Sequence, residues 1–376
     1  MDDYISVVAC GDFVATNPSI ITIGDELQSL IQKSDIKICN FEAPVEGTGK
    51  AKPKSGPSLT QSEGSPSFLE SNGFDVVLMA NNHIMDYGTD GCLNTINSFK
   101  KSISVGAGKS KEAYSFKSIT VKNKRIGILA FCQYEFGIVE SADSNDDIGV
   151  AWINSKDVCE SIQTAKESCD FVLVFPHAGL EDIDAPLPCW RQCYKKIIDW
   201  GADAVIASHP HVPQGWEIHN NKPIFYSLGN FYFDVLSGNR YWNKGLLVHL
   251  TLGDTIEFKV YNTLFLKNGS IEIDKSKEII KHTSDILSLI SDESKYLDYI
   301  DKECLKRYSL YTYGILRGVG GVSWFNLGLK KIFKLLLLSF INRRDKYILL
   351  NILRCETHRW VYERCITLIN KYNINK

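Results

Sequence analysis

The chain of 376 residues lacks the features that mark several large classes of protein. Its 11 prolines and 27 glycines, with 44% hydrophobic and 23% charged residues, exclude collagen-like, disordered and coiled-coil chains. The 11 cysteines include no CxxC pair, and the closest spacing is that of Cys189 and Cys193. Neither a disulfide framework nor a cysteine zinc knuckle is indicated, and reduced thiols are expected.

The sequence also has no apolar run long enough to span a bilayer. Its most apolar stretch, residues 332–341, would extend roughly 15 Å as a helix, about half of a bilayer core. The start of the chain, Met1 to Tyr4, has neither the basic region nor the cleavage site of a signal peptide. We therefore expect a cytoplasmic protein, free or held at the inner membrane face by its C-terminal tail.

Charge is unevenly distributed along the chain. The net charge is −2, but residues 301–376 contain 15 Lys and Arg against 5 Asp and Glu, whereas residues 1–300 contain 27 against 39. The acidic body argues against a nucleic-acid partner. The basic tail suits contact with an anionic membrane or polymer.

Short apolar runs rich in Val, Ile and Phe alternate with helical patterns through the first 250 residues, which predicts an α/β fold with buried strands. Strands are expected at residues 5–10, 36–39, 75–79, 125–132, 170–175, 203–207 and 223–227. Helices are expected at residues 25–33, 67–71, 90–101, 156–167 and 187–200. Residues 47–64 have no apolar periodicity, and we interpret them as a mobile loop near the site.

The alternation stops near residue 280, so we predict one domain over residues 1–280 and a basic, mainly helical segment over residues 281–376. Helices are expected there at residues 287–299, 327–341 and 347–368. The middle one is amphipathic, with its lysines mostly off the apolar stripe. It suits either a helix packed on the body, the interpretation we favour, or an anchor at an anionic membrane surface.

Polar side chains with metal-binding chemistry follow five of the predicted strands. In open α/β sheets the carboxyl ends of the strands form the ligand crevice, so these side chains should converge. They combine carboxylate, amide and imidazole groups without a thiolate, a mixture that suits Mn²⁺, Fe²⁺ or Zn²⁺. The expected ligands, for one or two divalent ions, are Asp12, Glu42, Asn82, His177, His209 and His211. In an extended segment, His209 and His211 would lie on the same side.

Six sequence motifs in this order resemble the CapA, or poly-γ-glutamate capsule-synthesis, family across residues 4–250. They are Gly11-Asp12, Asn40-Phe41-Glu42, Asn81-Asn82-His83 with Asp86, His177 to Glu181, His209-Pro210-His211 with Glu217, and Tyr226 to Asn230. That family is similar to the calcineurin-like metallophosphatases. The resemblance therefore implies a four-layer αββα sandwich, here followed by the helical C-terminal segment, with a metal centre at the strand ends.

The resemblance also implies a role for each matching residue. Asn82 would ligate metal while His83 approaches the substrate as the catalytic acid, and Asp86 would orient the loop around His83. Glu42 stands where a bridging carboxylate would lie. The chain departs from the metallophosphatase pattern at Val14, where Asp-x-His is usual, so the position served by Asp12 and His211 should hold metal less tightly. Supporting or substrate-contacting roles are expected for Asn40, Asn81, Glu181, Glu217 and Asn230.

Two functions fit these features. The first is a metal-dependent, phosphoesterase-like enzyme of capsule or surface-polymer biosynthesis that acts on an anionic polymer or on a small phosphorylated or carboxylated substrate. The residues do not choose between P–O and C–N chemistry. The second is a non-catalytic accessory protein that binds an anionic polymer or scaffolds other capsule-synthesis proteins. The pairing of His83 with Asn82 favours catalysis, because a scaffold needs no acid beside a ligand.

Overall fold

The computed structural model describes residues 4–144, 147–235, 238–318 and 343–372. Its strands are β1 (Ile5–Val14), β2 (Thr22–Ile23), β3 (Ile36–Phe41), β4 (Val76–Leu78), β5 (Ile103–Val105), β6 (Ala107–Lys109), β7 (Lys117–Val121), β8 (Lys124–Cys132), β9 (Ile138–Val139), β10 (Ile148–Ala151), β11 (Phe171–His177), β12 (Ala204–Ile206), β13 (Pro213–His219), β14 (Lys222–Leu228), β15 (Asn230–Phe233), β16 (Lys244–Leu252), β17 (Ile256–Phe265) and β18 (Ser270–Ile273). Its helices are α1 (Asp25–Lys33), α2 (Ser65–Ser71), α3 (Gly88–Ser98), α4 (Ser110–Tyr114), α5 (Asp157–Ser168), α6 (Pro188–Asp199), α7 (Lys277–Ser291), α8 (Glu293–Gly318), α9 (Arg343–Arg354) and α10 (Glu356–Tyr372).

Two large sheets form the centre of the fold. The first has the order β2-β18-β17-β16-β1-β3-β4-β5, with β15 paired to the end of β1. The second has the order β13-β14-β12-β11-β8-β7. Strands β1, β3, β4 and β5 are mutually parallel, as are β8, β11, β12 and β14. Each sheet therefore presents several carboxyl ends at one edge.

The sheets pack face to face between outer helices. In β8 and β11, Ile128 and Leu173 belong to one apolar cluster with residues of β1, while Leu129 and Val172 belong to a second cluster with α5 and α6. Alternate residues of a strand point to opposite faces, so this division separates the core between the sheets from the helix-covered face. The predicted four-layer αββα sandwich is confirmed.

The seven predicted strands correspond to β1, β3, β4, β8, β11, β12 and β14. The five helices predicted in the body correspond to α1, α2, α3, α5 and α6. Strands β16 to β18 were not among the predicted runs, and they complete the first sheet. The first half of β17 alternates apolar and polar residues because one of its faces is exposed, whereas β16 is buried continuously from Gly245 to Val248.

Two of the predicted C-terminal helices are interrupted. The helix predicted at residues 287–299 breaks at Asp292, whose side chain accepts a hydrogen bond from the Lys295 backbone N–H (3.1 Å) and starts α8. The helix predicted at residues 347–368 breaks at Cys355, between α9 and α10. The amphipathic helix predicted at residues 327–341 lies outside the described residues. Among the helices that are described, none combines the length and the apolar character that crossing a bilayer requires.

Candidate metal centre and cleft

The expected metal ligands converge where the two sheets meet. Asp12 lies on β1, Glu42 follows β3, and His177 ends β11. His209 and His211 lie in the turn between β12 and β13. All five side chains are almost fully buried. The geometry that brings them together is the common direction of the parallel strands.

The donor atoms form two groups that share Glu42. One group contains Glu42, His177 and His209, and the other contains Asp12, Glu42 and His211; within each group the donors lie within 4.8 Å of one another. Glu42 Oε1 lies 3.4 Å from His177 Nε2 and 3.5 Å from His211 Nε2. The Oδ1 of Asn82 lies 2.9 Å from His177 Nε2, which adds an amide oxygen to the first group.

The environment of Glu42 indicates whether this cluster fits a divalent ion. Its Oε1 is buried and has no hydrogen-bond partner among the described residues, although an unpaired buried carboxylate is costly. Burial and the neighbouring Asp12 carboxylate raise the pKa of Glu42 well above its usual value. The oxygen and nitrogen donors around this orphaned atom are those that Mn²⁺, Fe²⁺ and Zn²⁺ accept, so the residues fit a shared pair of ion positions.

The pKa values of His177 and His211 are shifted in opposite directions. Burial lowers the pKa of His177 to about 3, which keeps the imidazole neutral, the form in which histidine binds metal. Burial alone would lower the pKa of His211 as well, but Glu42 and Asp12 outweigh it and raise that pKa to about 10. In the metal-free chain His211 is therefore protonated and partly compensates the two carboxylates, and it would have to lose this proton to bind a metal ion.

Unusual backbone geometry places several of these groups. A Cβ on Gly11 would lie 1.9 Å from the Gly229 carbonyl oxygen, so only glycine lets β1 approach the start of β15 this closely. His209 and His211 have φ values of 99° and 59°, both in the left-handed region. The segment is therefore not extended, and the expectation of two imidazoles on one side of an extended chain was wrong. The turn instead sends one histidine to each donor group.

Asparagine side chains support the cluster. Asn40 Nδ2 donates to Asp12 Oδ1 (2.7 Å) and lies 3.3 Å from His177 Nδ1. Asn81 donates to the Phe41 carbonyl (2.9 Å) and accepts from the Ile84 N–H (2.9 Å), which links β3 to the loop that carries Asn82. Asn230 Oδ1 lies 3.0 Å from His211 Nδ1. These contacts fix the orientation of the donors around them.

Val14 lies in an apolar environment beside the second donor group. It is fully buried with Ala43 and Phe233 and brings no donor atom. The rings of Phe233 and Trp242 lie 5.0 and 4.8 Å from the His211 ring. The Asp12 and His211 side of the centre is therefore lined by apolar side chains at the point where the metallophosphatase pattern has a histidine.

His83 and Asp86 form a buried pair at the entrance to the cluster. His83 Nδ1 lies 2.7 Å from Asp86 Oδ2, and the Asp86 carboxylate also accepts hydrogen bonds from Lys54 Nζ and the Leu59 backbone N–H. Burial, together with Lys54, lowers the pKa of His83 despite the neighbouring carboxylate. Lys54 comes from the predicted loop at residues 47–64, and nothing in the spacing of that loop singled it out as a buried lysine.

A cleft of about 580 Å³ opens beside the metal cluster. Asn82, His83 and His209 line its inner end, and Glu181 lines its wall. Residues of α8 and α9, among them Arg307, Tyr311 and Ile352, line the opposite side, as does His358 of α10. The C-terminal helices are thus part of the candidate site.

Glu217 is not brought together with the other expected site residues. It lies on β13, where its carboxylate accepts hydrogen bonds from Arg191 Nη2 (2.6 Å) and the Tyr226 hydroxyl and pairs with Lys195 Nζ (3.0 Å). Two residues that the sequence did not single out do reach the cluster. Gln133 Nε2 lies 2.9 Å from His209 Nε2, and the Thr357 hydroxyl of α10 donates to Gln133 Oε1 (2.6 Å).

The chain is similar in sequence to known proteins of polymer biosynthesis. The PGA biosynthesis protein CapA of Bacillus subtilis (strain 168) is 33% identical over 249 residues, which are 62% of this chain and 64% of that protein. A probable polyglutamine synthesis accessory protein of Mycobacterium tuberculosis (strain CDC 1551 / Oshkosh) is 29% identical over 194 residues, 48% of this chain and 51% of that protein. The chain spans about half to two thirds of the length of the curated relatives it matches.

Among solved structures, a 5'-nucleotidase precursor from Thermus thermophilus aligns with 76% of this chain and 60% of its own, at 13% identity and a TM-score of 0.40. The match that decides the family covers residues 7–235, more than half of the chain and every expected metal ligand. Over that span the sequence fits the family described as "Bacterial capsule synthesis protein PGA_cap", and the chain belongs to it.

Proposed function

We propose that this chain is a metal-dependent enzyme of capsule or surface-polymer biosynthesis with a phosphoesterase-like metal centre, which catalyses hydrolysis or transfer at a phosphate group or at a carboxylate or amide group. The observation that carries the proposal is the orphaned Oε1 of Glu42, shared by two groups of donors directly beside the His83–Asp86 pair. A buried carboxylate in this state costs stability, so a functional reason for keeping it is needed.

The residues that would hold the ions are Asp12, Glu42, Asn82, His177, His209 and His211. When bound, divalent ions supply Lewis-acid polarisation of a phosphoryl or carbonyl oxygen and lower the pKa of a nearby water. The chain itself contributes rigidity, because Asn40 and Asn81 hold the carboxylate and the Asn82 loop through hydrogen bonds. Preorganised donors of this kind lower the cost of reaching a charged transition state.

His83 is the residue we propose to move a proton. Its Nδ1 is occupied by Asp86, and its side chain lines the cleft, so Nε2 is the atom left for the substrate. Asp86 selects the tautomer and orients the ring, as an acidic partner does in other acid–base pairs. Lys54, which contacts both residues, keeps the pair from carrying a net negative charge.

The substrate we propose for the cleft is anionic, either a polymer segment or a small phosphorylated or carboxylated molecule. The cleft is lined by Lys54 and Arg307 but also by the carboxylates of Glu135, Glu181 and Asp182, so bound divalent ions would have to supply the positive charge that attracts the substrate. Phe136, Tyr311 and Tyr313 supply flat apolar surface. The B. subtilis relative is a PGA biosynthesis protein. A γ-linked glutamate chain is therefore one substrate to test.

A non-catalytic accessory function is the second candidate. Val14 leaves the Asp12 and His211 side of the centre without a donor where the metallophosphatase pattern has histidine. The M. tuberculosis relative is itself described as a probable accessory protein. In this case the same metal cluster and cleft would bind an anionic polymer or a partner in capsule synthesis without turnover.

The two candidates are separated by comparing His83→Ala with His209→Ala. Metal content is measured by elemental analysis, and turnover is measured on aryl phosphodiesters and on γ-glutamyl oligomers. We expect His83→Ala to retain metal and lose about 10²–10⁴-fold in turnover, the contribution of one general acid or base. His209→Ala should lose metal and turnover together.

His219→Ala is the matched control, since His219 is a partly exposed residue at the end of β13 that pairs with Asp199. It should change neither quantity. If His83→Ala retains full turnover, or if the metal-loaded chain turns over neither class of substrate while still binding γ-glutamyl polymer, the accessory function is supported instead.

A further inference from the structure

A second cluster of metal-binding side chains lies outside the centre described above. It consists of Glu135, Cys355 and His358, whose donor atoms all lie within 4.8 Å of one another. Glu135 Oε1 and His358 Nε2 are 4.0 Å apart. Unlike the first centre, this cluster contains a thiol.

The junction between α9 and α10 places two of the three donors. Cys355 immediately precedes α10, and His358 lies three residues later in its first turn, so both side chains lie on one face of the helix. Glu135 comes from the segment after β8, 220 residues away in sequence. The Cys-x-x-His spacing becomes a candidate site only because folding brings this carboxylate to it.

Glu135 is a largely buried carboxylate whose one basic partner in the described part of the chain is the His358 imidazole. Its side chain is only 8% exposed, and among the described residues no Lys or Arg forms an ion pair with it. Its contacts are the Gln133 amide (Nε2 to Oε1, 3.3 Å), the Cys355 thiol and the His358 imidazole. Buried carboxylates are normally paired with a cation or coordinate a metal, so the cluster lacks one positive charge.

Hydrogen bonds from neighbouring residues orient His358 and Glu135, as is typical of metal ligands. The Tyr311 hydroxyl lies 2.7 Å from His358 Nδ1, which leaves Nε2 directed toward Glu135. Gln133 holds the Glu135 carboxylate. A ligating histidine typically uses its second ring nitrogen in a hydrogen bond of this kind.

We propose that Glu135, Cys355 and His358 bind a zinc ion at a site separate from the Glu42 centre. One thiolate, one imidazole and one carboxylate are a ligand set typical of Zn²⁺, and three protein ligands leave a fourth position for water or a substrate group. Glu135 and His358 line the cleft, so that position opens into it. The ion also links α10 to the segment after β8.

This site does not depend on the first centre being catalytic. Within the described part of the chain, the contact that joins them is Gln133, whose amide nitrogen lies within hydrogen-bond distance of both His209 and Glu135. The first centre has no cysteine ligand, so a metal–sulfur signal reports on the proposed zinc site alone.

The experiment uses the full chain, stripped of metal with a chelator and titrated with Co²⁺. A thiolate ligand gives a sulfur-to-cobalt charge-transfer band in the near ultraviolet, and nitrogen or oxygen ligands do not. We expect the wild-type chain to show this band and to lose it on addition of Zn²⁺. Cys355→Ser should lose the band completely and bind one ion fewer per chain.

Three further variants test the zinc site, and the first of them separates it from the proposed function of the Glu42 centre. His209→Ala should retain the band while losing ions from the Glu42 centre. Cys189→Ser, which removes a partly exposed thiol on α6, should retain it too and controls for adventitious binding. His358→Gln should weaken or abolish the band, and it offers a second test if Cys355→Ser fails to fold.

The proposal is overturned if the metal-loaded wild-type chain shows no thiolate band. It is equally overturned if the band survives in a folded Cys355→Ser variant, or if a folded His358→Gln variant shows the band at wild-type intensity and cobalt affinity.

Discussion

Glu42 should strengthen metal binding but should not stabilise the metal-free fold. Without metal, its Oε1 is buried beside the carboxylate of Asp12 and has no hydrogen-bond partner among the described residues, although His211 Nε2 lies 3.5 Å away. We predict that Glu42→Gln leaves the free energy of unfolding of the metal-free chain unchanged or raises it by about 1 kcal/mol, since a neutral amide avoids burying a second carboxyl group beside Asp12 while His211 keeps Asp12 as a partner. The same substitution should sharply weaken binding of both ions, because both donor groups contain Glu42.

Urea unfolding in the presence of a chelator measures the first effect, and calorimetric titration measures the second. Glu46→Gln, in the exposed segment that follows, is the control and should change neither. Loss of only one ion in Glu42→Gln would show that the carboxylate does not bridge two positions.

Lys54 should contribute far more to the free energy of unfolding than Lys52, which lies two residues earlier in the same loop. Its side chain is 4% exposed and pairs with Asp86, which is fully buried, whereas Lys52 is exposed. Removing one partner of a buried pair typically costs about 3–5 kcal/mol. Asp86 keeps His83 and the Leu59 N–H as partners, so we predict a loss of about 3 kcal/mol for Lys54→Ala.

Lys52→Ala should stay within about 0.5 kcal/mol of wild type, as substitutions at exposed positions do. Denaturant unfolding of the two variants under identical metal conditions gives the comparison. Equal losses would mean that the loop is stabilised by its backbone rather than by the buried ion pair.

Residues at strand ends could be predicted from the sequence, and residues brought in by loops could not. Asp12, Glu42 and His177 follow apolar runs that are visible in one dimension, and parallel strands bring such ends together. Lys54, Gln133 and Thr357 have no such signal, because their contacts join segments that no periodicity relates. Glu217 lies six residues after His211, yet β13 rises about 3.3 Å per residue and carries it away from the turn.

At the scale of elements, α6 and β13 are joined by the ion pairs of Glu217 with Arg191 and Lys195. Burial alone would raise the pKa of Glu217, but the hydrogen bonds from Arg191, Tyr226 and Lys195 outweigh it and lower the pKa. A lowered carboxyl pKa adds stability above the unfolded value of about 4.3, and that stability is lost as the pH falls through the folded value.

Glu217→Gln should therefore destabilise the chain at neutral pH by about 1 kcal/mol, a modest value because the carboxylate still has some contact with solvent. The difference from wild type should shrink below about pH 4. Urea unfolding across this pH range checks the prediction. Glu293→Gln is the matched control, since Glu293 contacts the same arginine from an exposed position. A difference that grows toward acid pH would contradict the assignment.

The ends of some helices cannot be predicted from the periodicity of apolar residues alone. Helix α1 begins and ends at the predicted residues, because its apolar face repeats regularly against the first sheet. The breaks at Asp292 and Cys355 interrupt apolar patterns that continue across them. Each break is local, with a side-chain cap at Asp292 and a single residue, Cys355, between two helices, and it does not disturb the periodicity on either side.

At the scale of the whole molecule, the C-terminal helices share a core with the body. Ile290, Tyr296 and Ile300 belong to the same apolar cluster as Trp190 and Tyr194 of α6. The Tyr296 hydroxyl also donates to the Pro186 carbonyl (2.7 Å). The division at residue 280 remains a prediction about folding units, but the described part of α7 to α10 is packed against the body and lines its cleft.

One chain of contacts runs from the C-terminal helices to the metal centre. The buried Trp190 indole donates to the Thr357 hydroxyl (2.7 Å), which donates to Gln133, which contacts His209. Thr357→Val keeps the shape of the side chain but leaves the indole N–H unpaired, so we predict a loss of about 1–3 kcal/mol in the free energy of unfolding. It also removes one of the two hydrogen bonds that Gln133 Oε1 accepts and leaves the one from the Gly179 backbone N–H (3.1 Å), so we expect metal to bind about tenfold more weakly, the lower end of the range for outer partners.

Thr367→Val, an exposed position on the same helix, is the control and should change neither quantity. Chemical unfolding and competition of the bound metal with a chelating dye measure the two effects on the same samples. If Thr357→Val loses stability while metal affinity stays at the wild-type value, the C-terminal helices support the fold without acting on the centre. A parallel loss of both means that the geometry around His209 is set in part by a helix 148 residues further along the chain, since the hydroxyl of Thr357 is the only link in this contact chain that the substitution removes.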